Sequence, residues 1–219
     1  MYRTDELLDL SKTIASELFE NADYPWNVLG SIKSFIIQLG EKLPKELFEK
    51  KDGNIWIAKD TVIYPSAYIS GPCIIDSGAE VRQCAFIHGS VIVGKNCVVG
   101  NSAELKNSVL FDGVQVPHFN YVGDSILGYK AHMGAGAVTS NVKGDKSLVV
   151  VKNGDETAET GLKKFGAILG DYAEIGCNSV LNPGSIIGRN TSVYPLSSVR
   201  GVIPAGCIYK SAENIVRRN

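Results

Sequence analysis

The sequence predicts an all-β fold, a left-handed parallel β-helix carrying a small α-helical N-terminal segment and a protruding loop or hairpin, and three observations predict it. Large aliphatic residues recur every six positions through Ile57, Ile63, Ile69, Ile75, Val81, Ile87, Val93, Val99 and Leu105. The position four residues after each is small or β-branched: Thr61, Ala67, Cys73, Ala79, Ala85, Val91, Cys97, Ala103 and Val109. The six-residue period returns at Leu169, Ile175, Leu181, Ile187, Val193 and Val199. Six residues make one short strand and a tight turn. Three such units close a triangular coil of about 18 residues, with aliphatics stacked inside and small residues in the corners. Parallel coils satisfy each other's backbone groups while burying a continuous apolar column.

Taken in order, residues 1–52 read as a helical N-terminal cap. Leu7, Leu8, Leu10 and Ile14 have helical spacing, and so does the run from Leu29 to Leu43 through Ile32, Phe35, Ile36 and Leu39. Asn21 or Asn27 would cap the second helix and Gly40 would end or interrupt it. Residues 53–210 form the β-helix, with its register broken from about Val116 to Ala167. Inside that break, Ser147 to Lys152 is strand-like, Asn153 to Asp155 is a turn signal and Thr157 to Lys164 returns antiparallel. An inserted loop over 143–166 is therefore expected to leave the helix body as a hairpin, and 211–219 is expected to be a tail. Flat-faced coil stacks self-associate around a three-fold axis, so a homotrimer with sites between subunits is expected.

Length and charge narrow the partners. The chain has 219 residues, 22 basic against 23 acidic, and a net charge of -1. That balance gives no pull toward nucleic acid and favours a small-molecule partner. The first 20 residues alternate charge with apolar side chains and carry no secretory h-region, and no apolar run approaches the roughly 20 residues of a membrane span. The expectation is a soluble cytoplasmic protein without a membrane partner. Five cysteines, Cys73, Cys84, Cys97, Cys177 and Cys207, are odd in number and unpaired in spacing, which suits small buried hydrophobes rather than disulfides or zinc.

Polar residues concentrate where the repeat falters: Glu104-Leu105-Lys106, then VPHFNYVGD from Val116 to Asp124, then Gly134-Ala135-Gly136 and Asn141. These stretches, VPHFNYVGDSILG followed by GAGAVTSN, closely resemble the acetyltransferase half of the bacterial bifunctional glucosamine-1-phosphate acetyltransferase and N-acetylglucosamine-1-phosphate uridylyltransferase. The resemblance to this hexapeptide-repeat acyltransferase family runs from about Ile87 to Lys210 and is tightest over Glu104 to Asn141. Thr160 to Asp171, TGLKKFGAILGD, looks more like related nucleotidyltransferase-associated β-helix domains. No Gly-rich nucleotidyltransferase loop precedes the coils.

The resemblance implies an N-acetyltransferase that moves an acetyl group from acetyl-CoA to an amino sugar or sugar phosphate, of the glucosamine 1-phosphate kind. His118 corresponds to the family's general base, a task suited to imidazole, the side chain that most readily accepts a proton near neutral pH. Lys106 corresponds to a lysine on the sugar phosphate, Tyr121 and Asn141 to residues on the sugar, and Lys146 to a further lysine, one residue closer here. His88 stands where the family has a phosphate-binding arginine and His132 where it has an asparagine, which leaves the acceptor open. Ala135, Cys177 and Pro195 correspond to backbone contacts of acetyl-CoA, with Arg200, Lys210, Arg217 and Arg218 as candidates for its phosphates. Backbone amides in the Gly134-Ala135-Gly136 turn would hold the oxyanion. Two other readings remain: a non-catalytic sugar-nucleotide-binding or scaffold protein, and a γ-carbonic-anhydrase-like metal hydratase using the three histidines.

Overall fold

A computed structural model describes residues 1–218. It is a β-helix whose short parallel strands repeat on three faces, coil upon coil. Face 1 carries Cys73–Ile75, Val91–Val93, the ends of Glu104–Leu110 and Tyr121–Leu127, then Ala167–Leu169 and Ser185–Ile187. Face 2 carries Glu80–Val81, Val98–Asn101, Gln115–His118, His132–Met133, Glu174–Ile175 and Ser192–Val193. Face 3 carries Tyr68–Ile69, Phe86–Ile87, the beginnings of Glu104–Leu110 and Tyr121–Leu127, then Val138–Thr139, Val180–Leu181 and Ser198–Val199. Val81, Ile87, Val93, Val99, Leu105, Leu169 and Leu181, all members of the predicted series, are fully buried in the column.

The expected break in register at Val116 does not occur. The interior column continues through Leu110, Val116, Val122, Leu127, Met133 and Thr139, all fully buried. The coil tightens at one corner: Leu105 to Leu110 and Val122 to Leu127 are steps of five, so Asn107 and Asp124 lie 17 residues apart. Val109 accordingly leaves the predicted small-residue row. It pairs with Ile92 and Ile126 on the outer side of face 1, and Ser108 takes the inner slot. Only the stretch after Asn141 is inserted. There Val150–Asn153 pairs antiparallel with Glu156–Glu159. The hairpin lies back on the coils, with Val149 and Val151 fully buried and Val149 packed above Gly184.

Residues 1–52 are a strap rather than a cap. Helix α1 (Thr4–Leu7) is one turn, and 3-10 turns follow at Leu10–Lys12, Ser16–Phe19 and Pro25–Val28. Only α2 (Ile32–Gly40) is a full helix. Neither Asn21 nor Asn27 caps it. Asn27 accepts a hydrogen bond from the Tyr24 amide in the preceding turn, and Ser31 occupies the N-cap position. Gly40 is the last residue of the helix, as expected, and a Cβ there would sit 2.4 Å from the Trp56 indole.

The strap runs opposite to the coils: Tyr2 Oη accepts from the Ala205 amide, Leu7 O from Asp171, Lys12 O from Asp112, and Leu29 O from the Asn107 side chain. It does so because face 1 is apolar outside as well as inside. Ile74, Ile92, Val109, Ile126, Ile168 and Ile186 point away from the column; the strap packs over the first four, and all six are fully buried, as are its own Leu7, Ile32 and Ile36. At about 1.5–3 kcal/mol for each large aliphatic removed from water, this outer layer is a second core. The sheet ends are closed by antiparallel strands: Phe48–Lys51 on Ile55–Ala58, inside the segment expected to be helical, and Asn214–Arg217 on Cys207–Ser211, inside the expected tail. Pairing removes the unpaired edges that a parallel stack otherwise exposes.

Candidate active site

With face 1 covered, faces 2 and 3 remain, and the polar motif sits along the two corners of face 3. At the corner between faces 2 and 3, His118 ends its strand with an exposed ring that has no hydrogen-bond partner among the described residues. Its carbonyl accepts from the Gly136 amide at 3.0 Å. Asn120, 2% exposed, fixes the corner: its Oδ1 accepts from the His118 amide, and its Nδ2 donates to Gly134 O at 2.8 Å and Ala137 O at 3.0 Å. Gly134, Gly136 and Ala137 spend their N–H groups on carbonyls, whereas that of Ala135 has no acceptor among the described residues. Gly134 is required here, since a Cβ would meet the Cys177 amide nitrogen at 2.8 Å. The Asn178 amide donates to Ala135 O and the Leu196 amide to Cys177 O, so Ala135, Cys177 and Pro195 form one column running from His118.

At the corner between faces 3 and 1, where the coils tighten, Asn107, Asp124 and Asn141 come together, and Lys106 precedes Asn107 in register with Gly123. Asp124, 6% exposed, receives the Asn107 amide on Oδ1 at 2.8 Å and the Asn141 amide on Oδ2 at 2.5 Å. Asn141 also donates to Tyr121 Oη at 3.3 Å. Burial is the main cause that pushes the Tyr121 phenol above its ordinary pKa, with Asp124 and Glu104 adding to it, so it stays a neutral donor. Between the corners, Tyr121 lies beside Glu104 and Val138, and His88 Nε2 meets Glu104 Oε1 at 2.8 Å while its ring lies on Phe86. The structure thus sets His88, Lys106, Tyr121 and Asn141 along face 3, with His118 at its corner with face 2. Asp124 and Asn120 are the residues the sequence reading quoted in the motif but did not single out. Acidic and amide side chains locked between motif members are their signal.

Other expected site residues lie apart. His132 is on face 2, its Nδ1 2.8 Å from Glu174 Oε2. Lys146 is exposed in the inserted loop at φ 58. Arg200 follows Ser198–Val199 at the corner opposite the Ala135, Cys177 and Pro195 column. Lys210 is the cation at the end of that column, with Nζ over the Tyr194 ring at 5.7 Å. No group of three metal-ligating side chains converges among the described residues, and no helix among them is long and apolar enough to cross a membrane. Cys73, Cys97 and Cys207 are buried, burial pushing the Cys73 thiol up to about 12, whereas Cys84 and Cys177 are exposed, contrary to the expected burial.

A stacked parallel coil with motif residues on both edges of one open face defines the class: left-handed β-helix proteins of the hexapeptide-repeat kind. The GMPPB C-terminal domain profile matches residues 69–162. The "Bifunctional protein GlmU" of Methanococcus maripaludis (strain S2) is 31% identical over 198 residues, covering 89% of this chain and 48% of that protein. The "Bifunctional sugar-1-phosphate nucleotidylyltransferase/acetyltransferase" of Sulfurisphaera tokodaii is 30% identical over 205 residues, covering 85% and 47%. Among solved structures, the acetyltransferase domain of PglB from Neisseria gonorrhoeae in complex with acetyl coenzyme A overlaps with 15% identity, 73% and 55% coverage and a TM-score of 0.32. The chain has the hexapeptide-repeat, left-handed β-helix fold and over most of its length is similar to these bifunctional relatives. It spans about half the length of the curated relatives it matches.

Proposed function

We propose that the protein is an N-acetyltransferase that moves the acetyl group of acetyl-CoA to the amine of an amino sugar or sugar phosphate. The observation that carries this reading is one juxtaposition: a histidine ring and an amide N–H that both lack a partner among the described residues, His118 and Ala135, at a single corner fixed by Asn120. A base and an oxyanion donor are the two groups that amide formation from a thioester requires.

Acetyl-CoA supplies an activated carbonyl whose carbon–sulfur bond breaks as the carbon–nitrogen bond forms. The column of Ala135, Cys177 and Pro195 fits a thin chain laid along the axis, because its small residues and glycines keep the backbone within reach, and Lys210 at its end suits phosphate. His118 takes the proton from the attacking amine. Ala135 N–H faces the carbonyl oxygen as negative charge gathers there. Lys106, Tyr121 and Asn141 seat the acceptor at the opposite edge of face 3, with His88 and Glu104 between. Because face 1 is sealed by the strap, the site opens toward a neighbouring copy, and a homotrimer would complete it; exposed Tyr68, Phe119 and Leu196 on or beside face 3 support that contact.

The test is thiol release from acetyl-CoA with glucosamine 1-phosphate and a panel of amino sugars and sugar nucleotides. Turnover is expected, and His118→Ala is expected to lower it by about 10²–10⁴-fold. A folded protein with no turnover on any acceptor would favour the binding or scaffold role instead.

A further inference from the structure

Beside the inserted hairpin lies a groove of about 570 Å³ that the mechanism does not use. Lys143, Lys152 and Arg200 line it, no carboxylate does, and Pro183, Val202 and Ile215 supply an apolar wall. Lys143 leans on Asp145 and Ser147, while Lys152 and Arg200 form no ion pair among the described residues. Unpaired cations in a groove without acids recruit anions, and the apolar wall suits something flat.

The groove continues the acceptor edge of the site. Val138, Val180 and Ser198 are register partners on successive coils, so Ser140, Asn182 and Arg200 share one corner row and Arg200 stands two coils beyond Asn141's own turn. At about 4.8 Å per strand spacing, that is about 10 Å along the axis. A sugar seated at Lys106, Tyr121 and Asn141 would project its anomeric oxygen substituent along this row. One phosphate ends short of Arg200; a diphosphate bearing a nucleoside spans the gap. The donor column lies across face 3 and has its own cation, Lys210.

We propose that the hairpin groove binds a nucleoside diphosphate, and that the acceptor is an amino sugar carrying one. The inference rests on the acetyltransferase reading for its sugar seat, but the groove is testable without turnover. Coenzyme A contains the same diphosphate chemistry, so the experiment separates the two sources.

Uridine diphosphate and adenosine diphosphate are titrated calorimetrically into the full chain, with and without saturating coenzyme A, and into Lys152→Ala and Arg200→Ala, whose folding is checked by melting temperature. Expected are binding that coenzyme A leaves in place and a loss of about tenfold or more in each variant, as for a charge-assisted phosphate contact. Absence of binding, displacement by coenzyme A, or variants that bind like the parent would each overturn it. A protein that binds the diphosphate yet acetylates nothing would refute the acetyltransferase reading and leave the groove; one that acetylates glucosamine 1-phosphate but binds no diphosphate would do the reverse.

Discussion

Two aspartates show how differently the same side chain behaves in this chain. Asp124 is buried but satisfied by the amides of Asn107 and Asn141, and through Asn141 it orients Tyr121 Oη. Asp124→Ala leaves those amides without an acceptor, at about 1–3 kcal/mol, and frees Asn141 to turn. The acceptor KM should rise about tenfold while the KM for acetyl-CoA holds, and Asp124→Asn should recover part of the loss. Asp76 is 2% exposed with Oδ2 unpartnered among the described residues, and burial, the largest cause, raises its pKa. A carboxyl whose folded pKa is raised stabilises the fold below the ordinary carboxylate range and loses that contribution as pH climbs through the raised value. Asp76→Asn should therefore melt higher than the parent at pH 7, with the gap closing toward pH 4; an equal gap at both would refute the assignment. His118, Tyr121 and Asn141 were picked out by a polar motif that resembles a known family, laid over an aliphatic repeat that runs on beneath it. Which basic residue ends the column of Ala135, Cys177 and Pro195 was not legible. Arg200 and Lys210 fall on opposite corners because position in a coil, rather than distance along the chain, decides which edge a residue joins.

At the level of elements, period six made the strands readable, and the hairpin followed from SLVVVK and NGD. The strap escaped because its signal is a second period hidden inside the first: Ile74, Ile92, Val109, Ile126, Ile168 and Ile186 form an unbroken, fully buried aliphatic row at outer positions, whereas the other faces break theirs with Glu80, Glu104, Gln115 and Glu174. Helical spacing in residues 5–43 reflects docking onto that face, and most of it forms turns rather than helix because tertiary burial supplies what propensity does not. Replacing an outer residue should consequently cost as much as replacing an inner one. Ile92→Ala is expected to destabilise by about 2–5 kcal/mol, comparable to Ile87→Ala, measured by chemical denaturation. A cost below 1 kcal/mol for Ile92→Ala would show the strap to be loosely held.

For the whole molecule, one carboxylate joins the strap to the later coils. Asp171, 2% exposed, accepts from the Asp9 and Tyr129 amides and pairs with Arg189, which also donates to Leu7 O. Asp171→Ala strands Arg189 and two amides and should cost about 3–5 kcal/mol. Limited proteolysis should then cut within residues 1–30 first. The strap also sets an order of events during synthesis. Residues 2–29 leave the ribosome before every coil they dock on, and their partners Asp112, Asp171 and Ala205 follow roughly 100 to 200 residues later. Helix α2 can cover the first coils as soon as they form. The residues ahead of it, Leu7 and Leu8 among them, must instead wait with their oily side bare for coils not yet made. A ribosome stalled before Asp171 would hold a chain whose bare leading segment chaperones and proteases recognise, so arrival of the later coils is what releases the molecule from surveillance.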